Sequence, residues 1–227
     1  NVFWELFRIV QYTRPRFVIL ENVKNLKSID NGHILKTFIT SLNQLNYFTE
    51  VRILDVAKIT GIPQRRERLF IFCFINEHDY KAFDFEFPVV KKRKLLSFFD
   101  LRVSEKYYIT EKSKIYEKLN KNVINNIKSG YIYQYRRSLI REFFNVCPTL
   151  TANMGTGGHN VPIIRDNFGI RRLTPRECFR LQGFPDTYKL VGTDSNLYKL
   201  CGNAICVEVL NIIFNRLKDL EQSKKSR

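Results

Sequence analysis

The sequence predicts an α/β protein in which helices and strands alternate, and its first 88 residues carry this prediction. Two continuous apolar runs, 17–20 and 69–74, have the composition of strands that are buried on both faces. Between them, Ile34, Leu35 and Phe38 recur at the spacing of an amphipathic helix. We therefore expect part of a doubly wound, Rossmann-like sheet with parallel strands.

The segments on either side of these runs follow the same alternation. An opening helix is predicted from six apolar residues at helical spacing, and it should end near Arg14-Pro15, because a residue before proline avoids helical geometry. A mixed strand is expected from about Phe48 to Leu54. The chain begins with Asn1 and has no lead-in before this helix, which is typical of a fragment, a processed product or an incomplete reading frame. The six apolar residues are Val2, Phe3, Leu6, Phe7, Ile9 and Val10.

The composition changes after Pro88. A basic run at 91–94 opens a Lys-rich stretch, for which a solvated linker is the alternative interpretation, and residues 131–165 are irregular and rich in Gly, Arg and Tyr. Regular structure returns at Thr174, which can cap a helix while Glu177 completes a capping box. We expect three regions: an α/β part at 1–88, a smaller loop-bearing domain at 89–170, and closing helices at 171–227.

The net charge is +16, from 38 basic and 22 acidic side chains. Such an excess favours a polyanionic partner such as nucleic acid, although a merely Lys-rich surface is the alternative. The five cysteines are odd in number and form no CxxC pair, so reduced thiols are expected rather than disulfides or a metal site. No apolar run reaches the roughly 18 residues that a membrane span needs.

Two polar segments adjoin the predicted strands. Glu21-Asn22-Val23 follows the first apolar run, where ligands of open α/β sheets bind and where a partly desolvated Glu can donate a proton; a solvent-facing strand end is the alternative. Gln64, Arg66 and Arg68 alternate before the second run. Two guanidinium groups on one side would anchor a phosphate or a carbonyl oxygen, whereas a surface ladder with Glu67 is the alternative.

Two further segments are candidates for ligand binding. Residues 149–160 form a glycine-rich segment without the Lys of a P-loop, so its glycines would let the backbone approach some ligand other than a nucleoside triphosphate. Asn203 is expected at the start of a final helix from about Ala204 to Leu220, where it caps the helix or contacts a ligand.

Taken in order, these segments resemble the DNA cytosine-5 methyltransferases over nearly the whole chain, apart from about residues 89–140. The family's ENV motif corresponds to Glu21-Asn22-Val23, and its QxRxR motif lies within Ile62–Arg68. Its RxLTPRExxRLQGFPD motif runs from Arg172 to Asp186, and its GN(S/A)V motif is Gly202-Asn203-Ala204-Ile205. The family keeps its target-recognition domain between the second and third motifs.

The resemblance implies transfer of a methyl group from S-adenosylmethionine to C5 of a cytosine that is flipped out of double-stranded DNA. A cysteine thiolate attacks C6, and C5 then becomes nucleophilic. Glu21 is expected to hold N3 and the exocyclic amine, Arg66 to hold O2, and Arg68 to support the site. Asn22, Val23 and Gln64 complete the expected catalytic segments.

The resemblance also assigns binding residues. Asn203, Ala204, Ile205 and Phe184 are expected to line the methyl-donor pocket. Thr156, Gly157 and Gly158 resemble a loop that enters the major groove, and His159, Arg136 and Arg137 are expected to contact DNA. On this basis, 1–88 would be the C-terminal half of the catalytic domain, 89–170 the target-recognition domain, and 171–227 helices that return to the catalytic domain.

Two motifs of the family are absent from the sequence: the Phe-x-Gly-x-Gly cofactor loop and the Pro-Cys nucleophile motif. Without a thiolate there is no covalent step. We therefore expect a fragment or subunit that is inactive alone and needs an N-terminal half, from a cytoplasmic, nucleoid-associated bacterial restriction-modification system. The alternatives are a DNA-binding remnant without catalysis and an RNA cytosine-5 methyltransferase.

Overall fold

The computed structural model describes residues 2–112, 115–123, 130–156 and 160–225, and the side chains at 122–123 and 223–225 are not described. It has mixed α/β architecture with two antiparallel sheets. The helices are α1 Val2–Thr13, α2 His33–Gln44, α3 Val56–Thr60, α4 Glu77–Ala82, α5 Tyr116–Val123, α6 Pro175–Arg180, α7 Asp194–Asn203 and α8 Val207–Lys225. The strands are β1 Phe17–Val23, β2 Phe48–Asp55, β3 Glu67–Phe74, β4 Tyr131–Arg136, β5 Leu139–Phe144, β6 Ile163–Asp166 and β7 Gly169–Arg172.

The chain folds into two compact units. The first unit contains Asn1–Asp55, Glu67–Pro88 and Asn211–Arg227, and the second contains Val56–Arg66 and Val89–Leu210. This division differs from the three regions expected from the sequence. The short segment between β2 and β3 belongs to the second unit, and so do residues 171–210, which we expected to group with the α/β part.

The sheet of the first unit has the order β1-β3-β2, and β3 runs antiparallel to both neighbours. The expected α/β class is confirmed, but the expected parallel pairing is wrong for these strands. The reason is the link between β2 and β3. Its helix α3 has only 5 residues, which is too short to return the chain to the starting end of the sheet, so the next strand runs in the opposite direction.

The core of the first unit lies between one face of this sheet and helices α1 and α2. Leu69, Ile71 and Cys73 of β3 pack there, as alternation along a strand requires, and the rings of Phe3 and Phe38 stack with centroids 3.6 Å apart. The predicted opening helix is present and ends at Thr13. Of its six apolar residues only Phe3 and Val10 are buried, because the helix is covered along a narrower stripe than the sequence suggested.

The sheet of the second unit has the order β5-β4-β6-β7, with antiparallel neighbours throughout. Strands β4 and β5 form a hairpin whose two turn residues, Arg137 and Ser138, have φ of 50° and 61°. Positive φ at both positions is the geometry of the tight turn that matches strand twist. The region expected to be irregular therefore contains a four-stranded sheet, with Tyr133, Ile163 and Ile170 in its core.

Helices α6 and α7 belong to the second unit, and α8 begins there and belongs to the first unit from Asn211 onward. The predicted capping box at the start of α6 is confirmed, with Thr174 accepting from the Glu177 amide and Glu177 accepting from the Thr174 amide. Asn203 ends α7, and α8 begins only at Val207, so Asn203 does not cap the final helix as we expected. Three residues in between break the helical path.

Among the described residues, one stretch, 194–222, is long and apolar enough for a membrane span by length and composition alone. It comprises α7 and α8, which the break at 204–206 separates. Its apolar residues Leu197, Cys201, Val209 and Ile213 are buried within the protein. Core helices of water-soluble proteins can meet the same length and hydropathy criteria, so these criteria alone are weak evidence for a membrane span.

Candidate functional site

The first unit holds an ion pair between Glu21, near the end of β1, and Arg68, near the start of β3. Antiparallel register sets Glu21 opposite Phe70 and Val23 opposite Arg68, so the two charged residues are diagonal neighbours on one face of the sheet. The Arg68 Nε lies 3.1 Å from Glu21 Oε1, and the side chains are 15% and 18% exposed, respectively. The pair is therefore largely buried yet reachable from solvent.

Glu21 and Asn22 also line a pocket of about 340 Å³. Its remaining lining is apolar: Val2, Phe3, Leu6, Ile19, Leu20, Leu26, Phe38 and Ile71. A single carboxyl group in such a setting has few competing water molecules, so hydrogen bonds that it makes to a ligand are strengthened. Asn22 is exposed and its Oδ1 accepts from the Val23 amide at 2.8 Å, while Val23 itself is 48% exposed and does not line the pocket.

The electrostatics of the site are described by the pKa of Arg68. Burial lowers the pKa of Arg68, and the nearby Glu21 carboxylate raises it in part. A guanidinium group keeps its proton even so, because its ordinary pKa is far above neutrality. A planar donor group beside a carboxyl group is complementary to the edge of a heterocycle that carries both a ring nitrogen and a carbonyl oxygen.

Gln64 and Arg66 lie in the second unit, where both side chains are buried. The Arg66 guanidinium is 2% exposed and donates to the carbonyl oxygens of Leu150 at 2.9 Å and Ala204 at 2.7 Å. Gln64 donates to the Leu181 carbonyl at 2.7 Å. The expected contact of Arg66 with cytosine O2 does not fit this environment, because its donors are directed at main-chain oxygens.

The expected alternation of Gln64, Arg66 and Arg68 on one side of an extended segment is also wrong. Strand β3 begins only at Glu67, and the Arg66 amide donates to the Gln64 carbonyl at 2.9 Å, which is the geometry of a tight turn. Only Arg68 belongs to the strand. The motif therefore divides its residues between two environments.

All five cysteines are buried free thiols. Burial raises the pKa of Cys73 and of Cys201 to about 12. Burial also raises the pKa of Cys206, and it raises those of Cys147 and Cys178 well above the ordinary value. Because the thiolate is the nucleophilic form, none of these thiols is prepared to attack a base near neutral pH.

Two of the residues expected to bind the methyl donor share a pocket of about 460 Å³ in the second unit. Phe184 and Ala204 line it together with the rings of Phe179 and Tyr188. The apolar, aromatic lining fits an adenine ring or a methylsulfonium group. Asn203 is exposed, and neither it nor Ile205 lines this pocket.

The residues expected to contact DNA are exposed where the structure describes them. Arg136 and Arg137 lie at the tip of the β4–β5 hairpin, and Thr156 follows a short helical turn at Ala152–Gly155. Gly157, Gly158 and His159 lie outside the described residues. The structure therefore presents two basic side chains and one hydroxyl from the predicted set.

The sequence interpretation missed the aromatic partners of Phe184. The ring of Phe184 lies 5.0 Å from that of Phe179 and 4.8 Å from that of Tyr188. The three aromatic residues occur within ten positions of one another, 179–188, and this local density was the available signal. Their packing could not be predicted, because it depends on the turn at 181–183.

A family model described as C-5 cytosine-specific DNA methylase matches residues 1–219. The chain belongs to this family. The chain is 39% identical to Type II methyltransferase M.Bsp6I of Bacillus sp. (strain RFL6), over 94% of its own length and 68% of the relative's. It is 32% identical to Type II methyltransferase M1.ScrFI of Lactococcus lactis subsp. cremoris, over 99% of its own length and 57% of the relative's.

Another relative of the methylase, Type II methyltransferase M.HhaI of Haemophilus parahaemolyticus, is 33% identical over 94% of this chain and 66% of the relative. The chain thus spans about 57–68% of the length of these three relatives. The resemblance deduced from the four motifs is confirmed. Enzymes of this family take their methyl group from S-adenosylmethionine.

Solved structures support the fold of the methylase. The S. pombe Dnmt2 methyltransferase matches with a TM-score of 0.67 and 18% identity, over 96% of this chain and 70% of that structure. A DNMT2 mutant of Spodoptera frugiperda matches with a TM-score of 0.70 and 19% identity, over 96% and 71%. Among the described residues of the methylase, no cluster of three or more His, Cys, Asp or Glu side chains could hold a metal ion.

Proposed function

We propose that Glu21 and Arg68 hold and polarise the target cytosine in a DNA cytosine-5 methyltransferase of a type II restriction-modification system. The observation that carries the proposal is the ion pair of Glu21 and Arg68, 3.1 Å apart, at the end of β1. Membership of the methylase family supplies the reaction class. The geometry of the pair supplies the residues that we assign to the base.

In this proposal Glu21 hydrogen-bonds N3 and the exocyclic amine of a flipped-out cytosine, and Arg68 donates to O2. Attack of a thiolate on C6 pushes electron density toward N3 and O2. A proton donor at N3 and a guanidinium at O2 stabilise that charge where it develops. The O2 contact, expected of Arg66 from the sequence, is assigned to Arg68, since Arg66 donates to main-chain carbonyls.

The nucleophile comes from a segment outside these 227 residues, whether joined to them or carried by a separate subunit. Support comes from the chemistry of the thiols, since all five are buried and their pKa values are raised. We propose that this segment adds a strand beside β1, which lies at an edge of the described sheet. Exposed Val2 and Leu6 of α1 flank the Glu21 pocket there and would be covered.

S-Adenosylmethionine supplies the methyl group in the proposed reaction. Phe184 and Ala204 form an apolar wall against it, together with the rings of Phe179 and Tyr188. Asn203 and Ile205 remain proposed contacts on the same segment. Closure of such an aromatic wall excludes water from the reacting atoms.

We propose that residues 89–170, which contain most of the sheet of the second unit, are the target-recognition domain. The net charge of +16 favours binding to the DNA backbone, and Arg136 and Arg137 protrude at a hairpin tip. Thr156 and the residues after it, Gly157, Gly158 and His159, would contact bases or phosphates. The proposed setting is the bacterial cytoplasm, in association with the nucleoid.

The test measures transfer of a labelled methyl group from S-adenosylmethionine to a long unmethylated duplex. We expect no transfer by the 227-residue chain alone. Transfer is expected once the chain is joined to a segment with the family's glycine-rich cofactor loop and Pro-Cys motif, taken from a relative such as M.Bsp6I. Substantial transfer by the unaided chain would contradict the proposal.

Within the joined enzyme, Glu21→Gln should lower kcat by about 100-fold or more, because the amide can donate a hydrogen bond to N3 but cannot transfer a proton to it. The matched control is Glu67→Gln. Glu67 is adjacent to Arg68 in sequence but pairs with exposed Lys24, so its variant should retain activity within about twofold. Equal losses in both variants would remove the special role of Glu21.

A second candidate is a DNA-binding remnant without catalysis, and the inert thiols are the observation that favours it. Such a protein would select a DNA sequence but give no methylation in any combination. Gel-shift titrations over a range of salt concentrations, run beside the transfer assay, separate the two. Sequence-specific binding by a joined enzyme that binds S-adenosylmethionine yet transfers no methyl group would establish the remnant.

A further inference from the structure

The side chains of Gln64 and Arg66 connect three segments of the second unit that are distant in sequence. Arg66 reaches Leu150 and Ala204, while Gln64 donates to Leu181 and its Oε1 accepts from the Leu150 amide at 3.3 Å. We call this arrangement the Gln64–Arg66 clamp. The clamp therefore gives a hydrogen-bond partner to both the amide and the carbonyl group of Leu150.

The main chain beside the clamp is held in register as well. The Arg65 amide donates to the Cys147 carbonyl at 2.8 Å, and the Cys147 amide donates to the Pro63 carbonyl at 2.7 Å. The Thr149 hydroxyl donates to the Arg65 carbonyl. Residues 63–66 therefore form a template along which 147–150 lies.

Close packing against α7 fixes the continuation of that segment. Of the eight described glycines, six have positive φ. At the other two, Gly155 and Gly202, the neighbouring backbone leaves no room for a Cβ atom. A Cβ at Gly202 would lie 2.0 Å from the Thr151 carbonyl carbon, and one at Gly155 would lie 2.4 Å from the Ser195 carbonyl oxygen. Both contacts are with backbone atoms, which cannot move aside cheaply.

We infer that Gln64, Arg66, Gly155 and Gly202 are positioning residues that fix segment 147–156 and thereby set how the second unit reads its DNA sequence. The segment ends at Thr156, which is exposed and is the last described residue before 157–159. Fixed backbone matters here because discrimination between base pairs depends on placing hydrogen-bonding groups within a few tenths of an ångström. The inference rests on the proposed DNA recognition by this unit.

The clamp also explains why one motif contains residues of two kinds. Arg68 pairs with Glu21 in the proposed base site, and Arg66, two positions earlier, holds the segment that leads to Thr156. The start of β3 thus follows directly in sequence on the residue that holds the recognition segment by hydrogen bonds. A disturbance at Arg66 should affect sequence selection before it affects the chemistry.

The first experiment measures amide hydrogen exchange in the full chain. Arg66→Lys keeps the charge but cannot reach all of the carbonyls, and we expect exchange at Leu150, Met154 and Thr156 to quicken by roughly tenfold or more. Gly155→Ala, which leaves the clamp intact, should quicken the same three amides. Unchanged exchange in both variants would overturn the inference.

Arg180→Lys is the matched control. Arg180 also donates three hydrogen bonds within the second unit, to Asp186, Asp100 and the Phe98 carbonyl, and none of these partners belongs to segment 147–156. Its variant should quicken exchange near residues 98–100 and leave the three probe amides within about twofold of the wild type. Equal quickening of those amides in the control would indicate general loosening, which would also overturn the inference.

The second experiment enriches bound sequences from a random duplex library at fixed salt. The wild type should select a defined sequence, and Arg66→Lys and Gly155→Ala should lose about tenfold in preference at some positions, with non-specific affinity within about twofold. Variants that select the wild-type sequence with equal preference would refute the inference alone. A wild type that selects no sequence would contradict the proposed function as well, so the two failures are distinguishable.

Discussion

Arg68 in the first unit and Arg66 in the second are two residues apart in sequence, and their surroundings differ in kind. Arg68 meets a carboxylate at 3.1 Å with 15% of its side chain exposed. Arg66 is 2% exposed and its donors meet the carbonyl oxygens of Leu150, Ala204 and, at 3.4 Å, Gly202. One guanidinium faces a group that a ligand can share, and the other is enclosed by backbone.

The difference shows that residue type and spacing do not by themselves define a binding residue. An Arg on neutral carbonyls stabilises the fold, because buried carbonyls without donors are costly. An Arg beside a carboxylate that borders a pocket contributes less, because that carboxylate can take up a proton or a water molecule when its partner is removed. The same comparison predicts a larger loss of stability from mutation at Arg66 than from mutation at Arg68.

The largest expected effect is on stability at Arg66. Arg66→Met should lower the free energy of unfolding of the second unit by about 3–5 kcal/mol, because the buried carbonyls of Leu150 and Ala204 lose their donors. Arg68→Met should lower that of the first unit by about 1–2 kcal/mol, because the Glu21 carboxyl that remains borders a pocket and can take up a proton or a water molecule. Urea titration followed by far-UV circular dichroism measures the first change.

The single tryptophan, Trp4, lies in α1 of the first unit and gives a separate signal. In Arg66→Met, the fluorescence transition of Trp4 should occur at higher urea concentration than the first step in circular dichroism. Coincident transitions with an unchanged midpoint would show that Arg66 is not the structural member of the pair.

Thiol labelling sharpens the comparison by reporting on each unit. Burial raises the pKa of Cys73 in the first unit and of Cys201 in the second to about 12, so the thiolate fraction at pH 8 is roughly 1,000-fold below that of an ordinary thiol. Native protein should therefore react slowly with iodoacetamide, whereas unfolded protein should label all five cysteines.

In Arg66→Met, Cys147 and Cys201 should label about tenfold faster or more, while Cys73 keeps its wild-type rate, as peptide mass mapping would reveal. Cys147 donates its amide to Pro63 beside the clamp, and Cys201 adjoins Gly202. Faster labelling of Cys73 alone would reverse the assignment of the two units.

The sequence predicted the elements of the first unit because their patterns are local. The apolar runs at 17–20 and 69–74 became β1 and β3. In the second unit, the equally local capping box at Thr174 formed as expected. The antiparallel direction of β3 was not predicted, since helix–strand alternation is shared by parallel and mixed sheets. Strand direction depends on the length of each connection as much as on its composition.

The sheet of the second unit was missed although its signal was present. Tyr131, Tyr133 and Tyr135 alternate with other residues, as the residues on one face of a strand do, but basic residues and a turn without Gly obscured the hairpin. The site was predicted in part: Glu21 and Arg68 do meet. The enclosure of Arg66 was beyond reach, because its partners at 150 and 204 are more than 80 residues away.

A smaller effect is expected at the start of α6 in the second unit. Thr174→Ala removes the hydroxyl that accepts from the Glu177 amide, and it should lower the free energy of unfolding by about 1 kcal/mol. Glu177 keeps its bonds of 2.8 and 2.9 Å to Arg171, so the buried ion pair survives. A loss above about 3 kcal/mol in urea titration would mean that the cap and the ion pair are coupled.

The smallest effect is expected at Asp166 of the second unit, and it depends on pH. Although burial opposes ionisation, hydrogen bonds from the Phe168 amide, Arg171 and Tyr108 hold the pKa of Asp166 below its ordinary value of 3.8. A lowered folded-state pKa contributes stability above pH 3.8, and this contribution disappears as the pH falls through the folded-state value. Asp166→Asn should therefore be less stable than the wild type at pH 7, and the stabilities of the two proteins should become equal in acid.

Urea midpoints from circular dichroism at pH 7, 4 and 3 measure this difference in stability, and a constant difference across the three pH values would exclude a contribution from Asp166 ionisation. If the midpoint of Trp4 fluorescence is unchanged by the substitution at every pH, the acid-sensitive step belongs to the second unit and leaves the Glu21–Arg68 unit folded.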